Sequence, residues 1–139
     1  MNKKDSSVLK PKNLFSNNKI SPIYSNFRYQ LNATVKKNKF LVAVSGGPDS
    51  LALSVLSKIY SEEKKNKVFY TLVDHGIRIN SSKEALAVKK LFKKRGITLK
   101  ILKNKKKINK ITQNNARIIR YELLLNYCNK HKIKFIMTG

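Results

Sequence analysis

Phe40-Leu41-Val42-Ala43-Val44-Ser45-Gly46-Gly47-Pro48-Asp49-Ser50 reads as a strand running into a glycine turn and then a helix. The five apolar residues are continuous rather than alternating, which marks a strand covered on both faces. Gly46-Gly47 lets the backbone turn sharply and approach a ligand closely. Pro48 suits a first helical position, where its missing N–H costs nothing. The free amides and positive dipole end of that helix then form an anion site. Ser45 and Ser50 add hydroxyl donors for phosphate oxygens. Asp49 is itself an anion, so it calls for a cation between it and a phosphate, and Mg²⁺ is the natural bridge. An ordinary strand-to-helix turn with Asp49 as a cap explains the glycines but not the whole Ser-Gly-Gly-x-Asp-Ser set.

The same alternation continues outward from this stretch. A helix is expected over 48–60, with Leu51, Val55 and Ile59 on one stripe. Val68–Val73 is a second strand. Ser81-Ser82-Lys83-Glu84 matches a capping box opening a helix that stops at Gly96. Ile97–Leu102 is a third strand, followed by a basic connection with lysines at 100, 103, 105, 106, 107 and 110. A long helix over 112–131 and a fourth strand over 133–137 complete the pattern. Strands alternating with helices imply an α/β fold with a parallel sheet and helices on both faces. Ligands in such folds bind beyond the carboxyl ends of the strands, here residues 45–50, 74–78 and 138–139.

Upstream, residues 1–38 read as a basic arm with one short helix. Residues 1–20 lack periodicity and are rich in Lys, Asn and Ser. Ser21-Pro22 looks like an N-cap and first turn. Ile23, Phe27 and Leu31 make an amphipathic face over 22–33, expected to pack on the main domain over 39–139. Arg28 is the single arginine before residue 78, which weighs against an Arg-rich transit peptide. No apolar core follows the early lysines, as a secretory signal would require. No run approaches the roughly 18 apolar residues of a membrane span. A cytoplasmic, non-membrane protein is expected.

The net charge of +24 favours a polyanionic partner such as RNA. The basic residues are 26 Lys and 5 Arg beside 15 Asn and 13 Ile, so a Lys/Asn/Ile compositional bias competes with that reading. Cys128 is the sole cysteine of these 139 residues, which rules out an internal disulfide and a cysteine-cluster metal site. His75 and His131 have no ligand-spaced partners, so zinc is not expected.

The loop lacks the Walker A and Rossmann glycine patterns. It resembles instead the pyrophosphate loop of the ATP pyrophosphatases, which cleave ATP between its α and β phosphates. Two further segments resemble the tRNA(Ile)-lysidine synthetases within that family. One is Val73-Asp74-His75-Gly76-Ile77-Arg78. The other is Gln113-Asn114-Asn115-Ala116-Arg117-Ile118-Ile119-Arg120-Tyr121. Alone, the first reads as a simple turn and the second as an exposed basic helix face. Their order along the chain is what makes coincidence hard to sustain.

The resemblance covers residues 40–139 and implies an adenine nucleotide alpha hydrolase-like fold with ATP and Mg²⁺ as cofactors. ATP binding falls to Ser45, Gly46, Gly47, Pro48, Asp49 and Ser50. Asp49 takes the metal and catalytic role, and Asp74, His75, Arg78, Arg117 and Arg120 are candidate substrate or nucleotide contacts. The implied reaction adenylates the wobble cytidine of a CAU-anticodon tRNA(Ile). The ε-amine of free lysine then displaces AMP, a carbon–nitrogen ligation.

Lysidine synthetases continue after the fourth strand with Gly-His-x-x-Asp-Asp. Gly139 matches the first residue of that motif, so the sequence is expected to be a fragment or a truncated product without a complete catalytic centre. The alternatives are another tRNA-modifying member, such as a thiolase, and a non-catalytic RNA-binding fragment. Thiolases generally rely on cysteine, and Cys128 falls mid-helix without a second cysteine.

Overall fold

The computed structural model describes residues 16–107, 110 and 112–139. Residues 1–15 of the basic arm and part of the 103–112 connection lie outside the described residues. Contacts divide the chain between Lys36 and Lys37.

In the first unit, α1 spans Ile20–Thr34. It starts before Ser21, so Ser21-Pro22 lies inside the helix rather than at its cap. Asn17 supplies the turn instead, its side-chain oxygen accepting from the N–H groups of Lys19 (2.9 Å) and Ile20 (3.3 Å). Tyr24 and Leu31 are its buried residues, while Ile23 is 59% exposed. The buried face therefore begins one position later than the apolar spacing indicates.

The second unit runs β1 Phe40–Val44, α2 Pro48–Lys64, β2 Val68–Asp74, α3 Ser81–Lys94, β3 Leu99–Lys103, α4 Gln113–His131 and β4 Phe135–Thr138. The sheet order is β3-β2-β1-β4, and every pairing is parallel. Ala43 of β1 pairs with Thr71 of β2 on one side and Thr138 of β4 on the other. β1 is thus central, and all five of its residues are buried.

Alternate residues of the strands serve opposite faces. Leu41 and Ala43 pack with Leu124 and Cys128 of α4, and with Ile133. On the other face, Phe40 meets Tyr60 of α2 edge-to-face, and Tyr70 meets Phe92 of α3 in the same way. Helices cover both faces, as right-handed crossovers in this strand order require.

Several boundaries differ from those read in the sequence. The buried residues of α2 are Ser50, Ser54, Ser57, Ile59 and Tyr60, while Leu51 and Val55 are half-buried. Small hydroxyls let the helix lie close to the sheet, and the Ser54 hydroxyl satisfies itself on the Ser50 carbonyl at 2.7 Å. Ser81 does not cap α3. Asn80 is the cap residue, without a side-chain bond, and the Ser81 hydroxyl is engaged elsewhere. β3 starts at Leu99 because Gly96 (φ 69°) and Ile97 finish the α3 turn, with Ile97 N–H donating to the Phe92 carbonyl. β4 starts at Phe135 because Lys132 (φ 53°) and Ile133 close α4 similarly. Thr112 caps α4 by accepting from Asn115 N–H at 3.1 Å.

Candidate nucleotide site

The carboxyl ends of β1, β2 and β4 converge on the loop 45–50. Gly46 takes φ 89°, a conformation that favours glycine. A β-carbon there would also come within 3.2 Å of Val88 Cγ2 on α3. Gly47 is extended and caps α2, and Pro48 occupies the first turn. The Asp49 and Ser50 amides have no carbonyl partner within the helix.

The buried Ser50 hydroxyl organises this turn. It accepts from the N–H groups of Ser45 (3.1 Å) and Gly46 (3.2 Å) and donates to the Gly47 carbonyl (3.0 Å). Ser45 Oγ lies 3.0 Å from it and accepts from Gly47 N–H at 3.3 Å. Ser45, Pro48 and Asp49 are exposed. Gly139 presses against the helix start, where a β-carbon would come within 2.9 Å of Ser50 N and Cα. The loop fits under the end of β4 because residue 139 has no side chain. A lone glycine after a strand is a weak signal in sequence and does not announce a packing role.

Asp74, at the end of β2, is engaged within the fold. One carboxylate oxygen accepts from Gly76 N–H (3.0 Å) and Ser81 Oγ (2.7 Å), the other from Ser82 Oγ (2.6 Å). Burial alone would raise its pKa. The bonds from Ser82, Ser81 and Gly76, with the charge of Lys103, outweigh burial and hold it below the ordinary carboxylate value. Asp74 thus ties the 74–80 loop to the start of α3. Ser81 and Ser82, its partners, were legible only as part of a capping box.

His75 is half-buried, and its Nδ1 is enclosed without a hydrogen-bond partner. Burial, with the Arg120 charge second, lowers its pKa against the opposing pull of Asp74, so the ring is neutral at neutral pH.

Two adjoining cavities open here. The first, about 470 Å³, has Ser45, Asp74, His75, Arg78 and Arg120 in its wall with Glu84 and Gln113. The second, about 510 Å³, shares His75, Gln113 and Arg120 with it and adds Arg117, Tyr121 and Thr138. The structure therefore gathers Ser45, Asp74, His75, Arg78 and Arg120 around one space. Arg117 belongs to the second space alone, and Gly46–Ser50 line neither. Among the described residues no three His, Cys, Asp or Glu side chains cluster as a metal site.

The PP-loop domain family matches residues 16–139. The chain belongs to the PP-loop family. A tRNA(Ile)-lysidine synthase of Orientia tsutsugamushi is 39% identical over 104 residues, which are 73% of this chain and 23% of that protein. One from Anaplasma marginale is 31% identical over 112 residues, covering 79% and 24%. One from Novosphingobium aromaticivorans is 33% identical over 120 residues, covering 86% and 36%. The chain thus spans only 23–36% of the length of these relatives. In structure it is similar to a U34-tRNA thiolase from Methanococcus maripaludis that carries a 4Fe-4S cluster. The TM-score is 0.67 at 24% identity, over 83% of this chain and 44% of that one. That likeness establishes the PP-loop fold and nothing finer. Among the described residues no helix is long and apolar enough to cross a membrane.

Proposed function

We propose that this chain is the ATP-binding part of a tRNA(Ile)-lysidine synthetase. Its substrates are then ATP, free lysine and tRNA(Ile) with a CAU anticodon. ATP adenylates the wobble cytidine and releases pyrophosphate, and the lysine ε-amine attacks the activated carbon and displaces AMP. The observation that carries the reading is the 45–50 loop itself. Unpaired helix-start amides and an exposed Asp49 stand at the end of the central strand, beside a cavity walled by His75 and Arg120. Identity of 31–39% to lysidine synthases supports the substrate assignment.

The loop's part is electrostatic. Amides and a helix dipole fixed before reaction stabilise charge as it develops on pyrophosphate. Mg²⁺ fits the donor set, because it is commonly held by one or two carboxylates together with substrate phosphates and water. Asp49 would hold it, and the ion would neutralise phosphate charge. Arg120, beside a neutral His75, adds positive charge to the wall. The thiolase alternative is weaker. Cys128 is buried against the sheet, and burial raises its thiol pKa, the reverse of what a nucleophilic sulfur needs.

The test is incubation of the full gene product with tRNA(Ile), lysine, Mg²⁺ and ATP, followed by nucleoside mass spectrometry. Lysidine with AMP release is expected. Sulfur gain at a uridine, or ATP left unspent, would overturn the assignment.

A further inference from the structure

Lys67, Lys39 and Lys134 stand side by side at the amino ends of β2, β1 and β4, the end of the sheet opposite the 45–50 loop. Each immediately precedes one of the aligned residues Val68, Phe40 and Phe135, and the Phe40 N–H donates to the Lys67 carbonyl at 3.2 Å. Neighbouring strands lie about 4.8 Å apart, so the row spans about 10 Å. Two residues on, Phe69, Leu41 and Ile136 all pack on the α4 side, so the three lysines share that face. Lys67 Nζ lies 5.1 Å from the Phe69 ring centroid, and that ring meets Tyr127 and His131 of α4. Lys67 and Lys134 are exposed and Lys39 is half-buried.

Among the described residues none of the three pairs with a carboxylate. Glu62 and Glu63, in the last turn of α2 on the other face, are met by Lys58 at 2.8 Å and Lys64 at 3.7 Å. Like charges directly opposite one another destabilise a sheet. The C-terminal dipole of α4 supplies only about half a negative charge against three positive ones. Lys65 and Lys132 extend the row, at helix ends with φ 61° and 53°, where glycine is the easier residue. A lysine-rich composition scatters charge and gives no reason for alignment on three adjacent strands.

We propose that the Lys67–Lys39–Lys134 row is an RNA-backbone surface, remote from the nucleotide site, that takes consecutive phosphates of a tRNA stem. The proposal deepens the tRNA-modification reading and rests on it for the identity of the RNA. One strand of a duplex carries a phosphate about every 3.4 Å of axis, so 10 Å presents about three charges to the three lysines. Such contacts carry no sequence information and serve to position the RNA. Lys39 and Ser45 are six residues apart along β1, about 20 Å. That is less than the roughly 34 Å of one duplex turn. One RNA with a stem and an unpaired loop can therefore meet both ends of the sheet.

The experiment measures tRNA(Ile) binding to the full gene product across a salt series, with ATP binding and thermal unfolding in parallel. One variant combines Lys39→Gln, Lys67→Gln and Lys134→Gln. A second carries arginine at the same three positions. A third, of equal charge change, combines Lys89→Gln, Lys90→Gln and Lys94→Gln on the exposed face of α3. The glutamine row should weaken tRNA binding about tenfold at about 0.1 M salt and lower the slope of log K against log salt by about 2–3. The arginine row should bind as wild type, and the α3 variant should stay within about threefold with its slope unchanged. ATP affinity should hold within about twofold in all three, because screening at 0.1 M salt acts over about 10 Å. Relief of like-charge repulsion should leave the thermal midpoint of the glutamine row no lower than wild type. Equal losses in the row and α3 variants would mean that charge is spread by composition, and would overturn the proposal. So would unaltered tRNA binding, or binding to phosphatidylserine vesicles that the glutamine row loses while RNA binding persists. Row-dependent tRNA binding without lysidine formation would remove the proposed reaction and leave this surface standing. Lysidine formation with unaltered binding in the glutamine row would do the reverse.

Discussion

Asp49 and Asp74 stand at the same end of the sheet, one strand apart, in opposite surroundings. Asp49 is exposed in the first turn of α2. Asp74 is 5% exposed and accepts three hydrogen bonds from its own loop and the start of α3. Each belongs to a loop with a glycine at positive φ, Gly46 or Gly76, and each sits in a segment resembling the same family. One carboxylate is left exposed, and the other ties its own loop to the start of α3. A motif aspartate is therefore assigned by its partners rather than by its position in the motif.

The largest effect that separates the two is catalytic. Asp49→Ala in the full gene product should lower ATP-dependent AMP release by about a hundredfold or more, the scale of losing a key electrostatic group. Its thermal midpoint should move little, because among the described residues only the favourable charge of Asp49 in the first turn of α2 is lost. Wild-type turnover in this variant would break the comparison.

Next comes stability. Asp74→Ala strands Ser81, Ser82 and the Gly76 amide and should cost about 2–3 kcal/mol in urea unfolding. The pH dependence has a definite sign. The folded pKa of Asp74 lies below the unfolded value of about 3.9. Its contribution is present above that unfolded value and fades as pH falls through the lowered folded one. The gap between wild type and Asp74→Ala should hence be constant near neutrality and close in acid. Lost ATP use with unchanged stability would return Asp74 to the ligand-contacting class.

Gly46→Ala is expected to cost less, about 1–2 kcal/mol, from the positive φ and the tight approach to Val88. Pairing it with Val88→Ala should recover only the contact part, and complete recovery would mean that backbone strain is absent.

The smallest effect concerns His75. Its NMR titration should fall below the usual value of about 6.5. Arg120→Gln should raise it partway, since burial is the larger cause. Because the folded pKa is depressed, wild type should gain stability as pH rises through the interval between the folded and unfolded values. No change on removing Arg120 would separate the two groups that join the cavities.

The fold was legible because its signals are local. Phe40–Val44 is continuous and apolar, and Gly46-Gly47-Pro48 marks where the strand must give way to a helix. What escaped reading depends on partners far along the chain. Ser50, Ser54 and Ser57 share the buried face of α2 with Ile59 and Tyr60, and while Ile59 lies on the apolar stripe, no hydrophobic pattern indicates the three serines, because closeness to the sheet rather than apolarity selects them. Ser81 looked like a cap because Ser-x-x-Glu spacing is local, yet Asp74, seven residues back, takes its hydroxyl. Asn17 does not stand out in the sequence as the turn-former of α1, because Ser21-Pro22 carries the stronger local signal. In the site, Ser45, His75, Arg78 and Arg120 were named from sequence and share a cavity. Tyr121 carries no role in the sequence pattern, because its place over Arg117 depends on which way the helix face turns.

The most direct measurement is an amide ¹H–¹⁵N NMR titration of the chain with pyrophosphate and Mg²⁺. Shift changes should concentrate at Gly46, Gly47, Asp49 and Ser50, and Asp49→Ala should weaken the response. Changes scattered over the exposed lysines, with the 45–50 amides silent, would contradict the assignment of this loop as the pyrophosphate site.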